Sequence, residues 1–207
     1  MAKKGTDLST RTGSVVFCGL VVALMVVSAW VTIPIGAVPV TLQVFAMVFA
    51  LLFMTPRQYF VSLLVYYLIG LVGLPVFSGM RGGIGVFVGP TGGFLWGYIV
   101  GALAAFCILY LFRRKAGKNQ SGRVRKKTLV LALHFFASTV FLAVMYVCGW
   151  TQLVVVAGYD PLAALMVGVA PFVIIDVVKM IAAVFLVEAV KRALPHVFSH
   201  RIDDKSV

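Results

Sequence analysis

Acidic residues are scarce in this 207-residue chain: six Asp and Glu stand against 18 Lys and Arg. Histidine and cysteine are scarcer still, at three each. Cys18, Cys107 and Cys148 all fall in apolar runs, with no CxxC spacing and no histidine cluster beside them. They read as small core residues, and neither a disulfide framework nor a metal site is expected. No G-x-x-x-x-G-K-[ST] loop occurs, so the chain carries no P-loop ATPase of its own, and energy for uphill movement would come from another subunit or a gradient. Gly83-x-Gly85-x-x-x-Gly89 has the wrong spacing for a dinucleotide loop and no βαβ context. An intramembrane protease would need a serine or paired aspartates with a base at matching depth. His134 is the one histidine within a predicted helix, near its end, and reads as an interfacial residue, while Asp176 has no aspartate partner in a neighbouring run. No catalytic constellation and no cofactor are expected.

What the chain has in abundance is apolar surface: 62% of its residues are hydrophobic, against roughly 45–50% in soluble domains. Apolar runs fall at residues 14–32, 41–54, 57–74, 93–112, 128–149 and 162–190. At about 20 residues per crossing, they predict an all-α integral membrane protein, a bundle of six transmembrane helices forming one domain over 1–207. The first run has a basic flank but no small-x-small cleavage site, so it reads as a retained helix. The second run is short for a span, and is expected to tilt or continue into its loop. The sixth is too long, and Pro171 offers its start, because proline is tolerated in a first helical turn.

Charge sets the orientation. Lys3, Lys4 and Arg11 precede the first run, eight cations lie between Arg113 and Lys127, and Lys191, Arg192, Arg201 and Lys205 follow the last. Basic loops stay cytoplasmic. Both tails (1–12 and 193–207) and the second and fourth connections are therefore expected inside, in a multi-pass protein of the cell membrane. The outer connections hold one cation, Arg81, and one anion, Asp160. Arg123-Val124-Arg125-Lys126-Lys127 lacks the interleaved aromatics of a nucleic-acid platform; contact with membrane lipids explains it, and no nucleic acid is expected.

Asp176 and Lys179 interrupt the last run. Each ionised side chain near a bilayer centre costs about 2.5–3.5 kcal/mol, so such residues face a protein interior or a cavity. At i and i+3 they share a helix face, either as an acceptor and donor for a polar, uncharged ligand group or as an ion pair holding two helices together. Glu188, four residues before Arg192, fits a helix-end pair. The first outer connection, 33–43, is apolar yet twice broken by proline, and the third, 75–93, has seven glycines in 19 residues. Such backbone at membrane depth is buried by protein or lines a cavity. Trp96 and Tyr98, just after the glycines, read as pocket walls or interfacial belt residues. Gly19-x-x-x-Ala23 is a small-xxx-small pair that permits close helix packing.

Taken together, Pro39-Val40-Thr41-Leu42-Gln43, Gly73-Leu74-Pro75-Val76-Phe77, Gly89-Pro90-Thr91-Gly92-Gly93-Phe94 and Asp176-x-x-Lys179 resemble the BioY family of biotin-transport proteins, the substrate-capture (S) components of energy-coupling-factor (ECF) transporters. The resemblance implies a biotin-specific S component of the bacterial cytoplasmic membrane. It would work with a transmembrane coupling subunit and a pair of ABC-type ATPases, which alone use ATP. It implies that Asp176 accepts from a ureido N–H of biotin and Lys179 donates to the ureido carbonyl. Trp96 and Tyr98 would cover the thioether ring, and Arg81 is the outer-loop cation available to the carboxylate. Thr41, Gln43, Gly89, Thr91 and Gly92, within the matching stretches, join the expected substrate-binding set. The family's first helix usually shows Ala-x-x-x-Ala for the coupling subunit; here Gly19 and Ala23 stand in its place. A capture subunit for another vitamin, or a membrane scaffold without transport, are the alternatives.

Overall fold

The computed structural model describes residues 6–34, 38–116 and 123–193. In chain order the elements are α1 (Thr6–Trp30), β1 (Thr32–Ile33), β2 (Val40–Thr41), α2 (Gln43–Phe53), α3 (Pro56–Leu71), α4 (Gly85–Val88), α5 (Gly92–Ala116), α6 (Arg123–Ala157), α7 (Pro161–Gly168) and α8 (Ala170–Ala193). Among the described residues, four stretches are long and apolar enough to cross a membrane: Thr12–Trp30, Gly92–Phe112, Thr128–Ala157 and Pro161–Ala193.

α2 has only 11 residues, and nine of them are buried. A helix apolar on every side belongs inside a bundle rather than against lipid, and α2 packs between α1 and α8. Its chain continues directly into α3, whose start is strongly specified. Thr55 accepts from the Gln58 backbone N–H while the Gln58 side chain takes up the Thr55 N–H, a capping box with Pro56 at the first helical position.

α5 and α6 approach most closely, and the reason lies in spacing. Gly93, Gly97 and Gly101 recur every four residues and so share one face of α5. A Cβ at Gly97 would stand 2.7 Å from Met145 Cα, one at Gly101 2.8 Å from the Phe141 carbonyl oxygen, and one at Gly93 2.7 Å from Gln152 Cβ. The backbones therefore meet along a seam that any side chain would wedge apart. Gly19 on α1, by contrast, has open space where its Cβ would be, and both it and Ala23 are exposed.

Several boundaries differ from the sequence expectation. The fifth run extends at both ends, to 35 residues in α6; beyond its expected far end, Gln152 finds carbonyl partners on another segment. The sixth run is two helices, broken at Val169, and α8 begins at Ala170 with Pro171 in its first turn. Asp160 starts α7 by accepting from the Leu162 N–H. The glycine-rich connection contains α4, and the proline-broken connection forms an antiparallel pair, Thr32 opposite Thr41 and Ile33 opposite Val40. His134 is buried rather than interfacial and lies 2.9 Å from Glu188. Glu188 thus turns inward to α6 instead of serving Arg192 at the helix end. Residues of both tails before Thr6 and after Ala193 lie outside the described residues.

Candidate functional site

The site lies at the end of the bundle that carries the β1–β2 pair and the glycine-rich connection. Asp176, 4% exposed, sits in the second turn of α8. Lys179 Nζ donates to its Oδ1 at 2.7 Å, and the Tyr146 hydroxyl of α6 donates to its Oδ2 at 2.6 Å. Lys179 also donates to the Thr41 carbonyl at 2.7 Å. The strand pairing fixes Thr41, so the lysine joins α8 to the first connection across 138 residues of sequence. A carboxylate offers about four lone-pair positions and an ammonium three protons. Both groups keep capacity for a ligand after these bonds are made.

Beside them opens a small cavity of about 70 Å³. Asp176, Thr41, Gln43, Thr91, Tyr146 and Arg81 supply its polar groups. Phe77, Phe94, Phe172, Val44, Leu95 and Met145 supply apolar wall. Such a surface takes a ligand that is mostly apolar with a few polar atoms in fixed places. Gln43 is oriented by its amide, which donates to the Tyr66 hydroxyl at 2.9 Å, and Tyr66 donates in turn to the Val76 carbonyl at 3.0 Å. Arg81 closes a tight hairpin with Phe77, through left-handed Gly79 and Met80, and donates from Nε to the Ser78 carbonyl at 3.1 Å.

The expected residues separate into three groups. Asp176, Thr41, Gln43, Arg81, Thr91 and Tyr98 line the cavity, with Tyr98 buried and stacked on Phe141 at 6.1 Å. Lys179 adjoins the cavity through Asp176 and Thr41 without lining it. Gly89, Gly92 and Trp96 lie elsewhere. Gly89 borders a groove outside the cavity, Gly92 is pressed against the Phe87 carbonyl and the Gln152 amide, and Trp96 is 49% exposed and meets Phe87 edge-on at 5.6 Å. Tyr146 and Phe172 escaped the sequence reading, since an aromatic in an apolar run carries no mark of what it faces. Among the described residues no group of three or more His, Cys, Asp or Glu could hold a metal.

The chain is similar throughout to proteins of one kind. The family model described as BioY family matches residues 1–196. The probable biotin transporter BioY of Pyrococcus horikoshii is 37% identical over 169 residues, 82% of this chain and 90% of that protein. The biotin transporter BioY of Thermotoga maritima is 34% identical over 175 residues, 84% of this chain and 93% of that one. A crystal structure of the S-component for biotin from an ECF-type ABC transporter superposes with a TM-score of 0.72 at 21% identity, covering 92% of this chain and 95% of that chain. That likeness establishes the shared fold. Because the family match runs through every helix that builds the cavity, the chain belongs to the BioY family.

Proposed function

We propose that this protein captures biotin and takes it up across the cell membrane as the substrate-specific subunit of an ECF-type transporter. The observation that carries the reading is the Asp176 carboxylate, lining an otherwise mostly apolar cavity and held by Lys179 and Tyr146. Biotin has a ureido ring with two N–H donors and a carbonyl, an apolar thioether ring and a carboxylated chain. Asp176 accepts a ureido N–H, and Lys179 holds the carboxylate in place for it. Tyr98, Phe77 and Phe172 cover the rings, and Arg81 takes the carboxylate. Membership of the family and the names of its relatives support this choice of ligand.

In this reading α1, α2, α3, α5, α6 and the α7–α8 pair are six crossings, with the cavity opening outward and the basic termini inside. The role is transport rather than catalysis. A coupling subunit docks on α1 at Gly19 and Ala23, and an ABC-type ATPase pair supplies the energy. Equilibrium binding of labelled biotin to the purified protein, with other vitamins as competitors, tests the proposal. Saturable binding displaced by unlabelled biotin alone is expected; no binding, or displacement by a different vitamin, overturns it.

A further inference from the structure

We propose that Gln152 is a positioning residue that latches the glycine-rich segment over the cavity and sets how long a captured ligand stays. The inference rests on the cavity being the biotin site. Gln152, near the end of α6, donates from Nε2 to the Phe87 carbonyl at 2.8 Å and to the Gly89 carbonyl at 2.6 Å. Both carbonyls belong to the end of α4, a four-residue turn. A helix that short does not hold itself, and the carbonyls of its last turn have no partner within it.

The segment held in this way is a partition. Val86 on α4 and Thr91 just beyond it line the cavity, and the same two residues with Arg81 also line the groove outside. Its other side is pinned by aromatics: Phe87 meets Tyr67 at 5.0 Å, Phe77 at 5.4 Å and Trp96 at 5.6 Å, all edge to face. Gln152 reaches its two carbonyls only because residues 92 and 93 have no side chains. A Cβ at Gly92 would lie 2.7 Å from its Nε2, and one at Gly93 2.7 Å from its Cβ. One amide nitrogen with two hydrogens suits two carbonyl acceptors; a carboxylate there would repel both.

Without the latch the 86–91 partition swings while Asp176 keeps its contacts, so release quickens and capture is little altered. The test uses the full-length protein in detergent and labelled biotin, with association and dissociation rates measured separately. Gln152→Ala and Gln152→Glu are expected to raise the dissociation rate roughly tenfold, the loss of one to two hydrogen bonds, with the association rate little changed. Gln152→Asn, a methylene shorter, falls between them and the parent. Thr151→Ala, whose hydroxyl serves only the Val147 carbonyl of its own helix at 2.7 Å, keeps the parent rates. Unchanged dissociation overturns the latch, as does a fall in the number of sites whose remaining members release at the parent rate, the mark of a merely structural role. A second readout needs no ligand: a single cysteine at Thr91, in a background without Cys18, Cys107 and Cys148, is labelled roughly tenfold faster when Gln152→Ala is added. Equal labelling overturns the latch even if the protein binds no biotin, an outcome that by itself would overturn only the choice of ligand.

Discussion

Lys179 and Lys191 grip the two ends of α2 from a single helix. Lys179 donates to the Thr41 carbonyl at 2.7 Å, just before α2 begins, and Lys191 to the Leu52 carbonyl at 3.0 Å in its last turn. The lysines are separated along α8 by about 18 Å of helical rise. The upper contact belongs to the candidate ligand site. The lower one places a cation on the terminal carbonyls of a helix, where the backbone dipole favours it.

The two lysines are therefore expected to fail differently. Lys191→Met should lower thermal stability in detergent by about 1 kcal/mol and leave biotin affinity unchanged. Thermal unfolding followed by binding on the same sample checks it; an affinity loss would mean that the lower end of α2 reports on the site.

Asp176→Asn and Lys179→Met should each weaken biotin binding about 10- to 150-fold, the effect of losing a hydrogen bond to a charged partner worth about 1.5–3 kcal/mol. Calorimetry or flow dialysis measures both. Affinity unchanged in both variants would make the pair a structural tie between α8 and the first connection.

The α5–α6 seam predicts a stability effect. Gly97→Ala puts a methyl 2.7 Å from Met145 Cα, and overpacking of this kind costs about 1–3 kcal/mol. Gly19→Ala meets nothing and should leave the melting temperature alone. Equal melting temperatures for the two variants would show that the seam yields without cost.

Orientation is open to a direct measurement. Single cysteines at Ile84, exposed in the glycine-rich connection, and at Asn119, in a background lacking the native three, should react with an impermeant thiol reagent from opposite sides of the membrane. Asn119 lies outside the described residues, so labelling alone locates it. Reaction of both from one side would contradict the six-crossing arrangement.

Coupling should depend on the exposed small residues of α1. Gly19→Leu or Ala23→Leu fills the space a neighbouring backbone would need. ATP-dependent uptake in vesicles with a coupling subunit should fall while equilibrium biotin binding persists. Full uptake would move the docking face elsewhere, and lost binding would make α1 a support of the fold.

The sequence by itself determined whatever follows from local chemistry. Apolar content made this a membrane protein, Pro171 marked the start of α8, and the i,i+3 spacing of Asp176 and Lys179 brought them together, because neighbours on one helix turn meet whatever surrounds them. Tertiary structure decided what depends on how helices roll against one another. Trp96 and Tyr98 stand two residues apart on α5, about 200° around the helix, so one facing the cavity turns the other away. The seam of Gly93, Gly97 and Gly101 sets that roll by pressing α5 onto α6, and it is Tyr98 that lines the cavity. Tyr146 on Asp176, Thr41 on Lys179 and Gln152 on the glycine-rich segment were likewise beyond the reach of local pattern. Each joins residues 30 to 138 positions apart, and only the packed bundle places such donors within hydrogen-bonding distance of their acceptors.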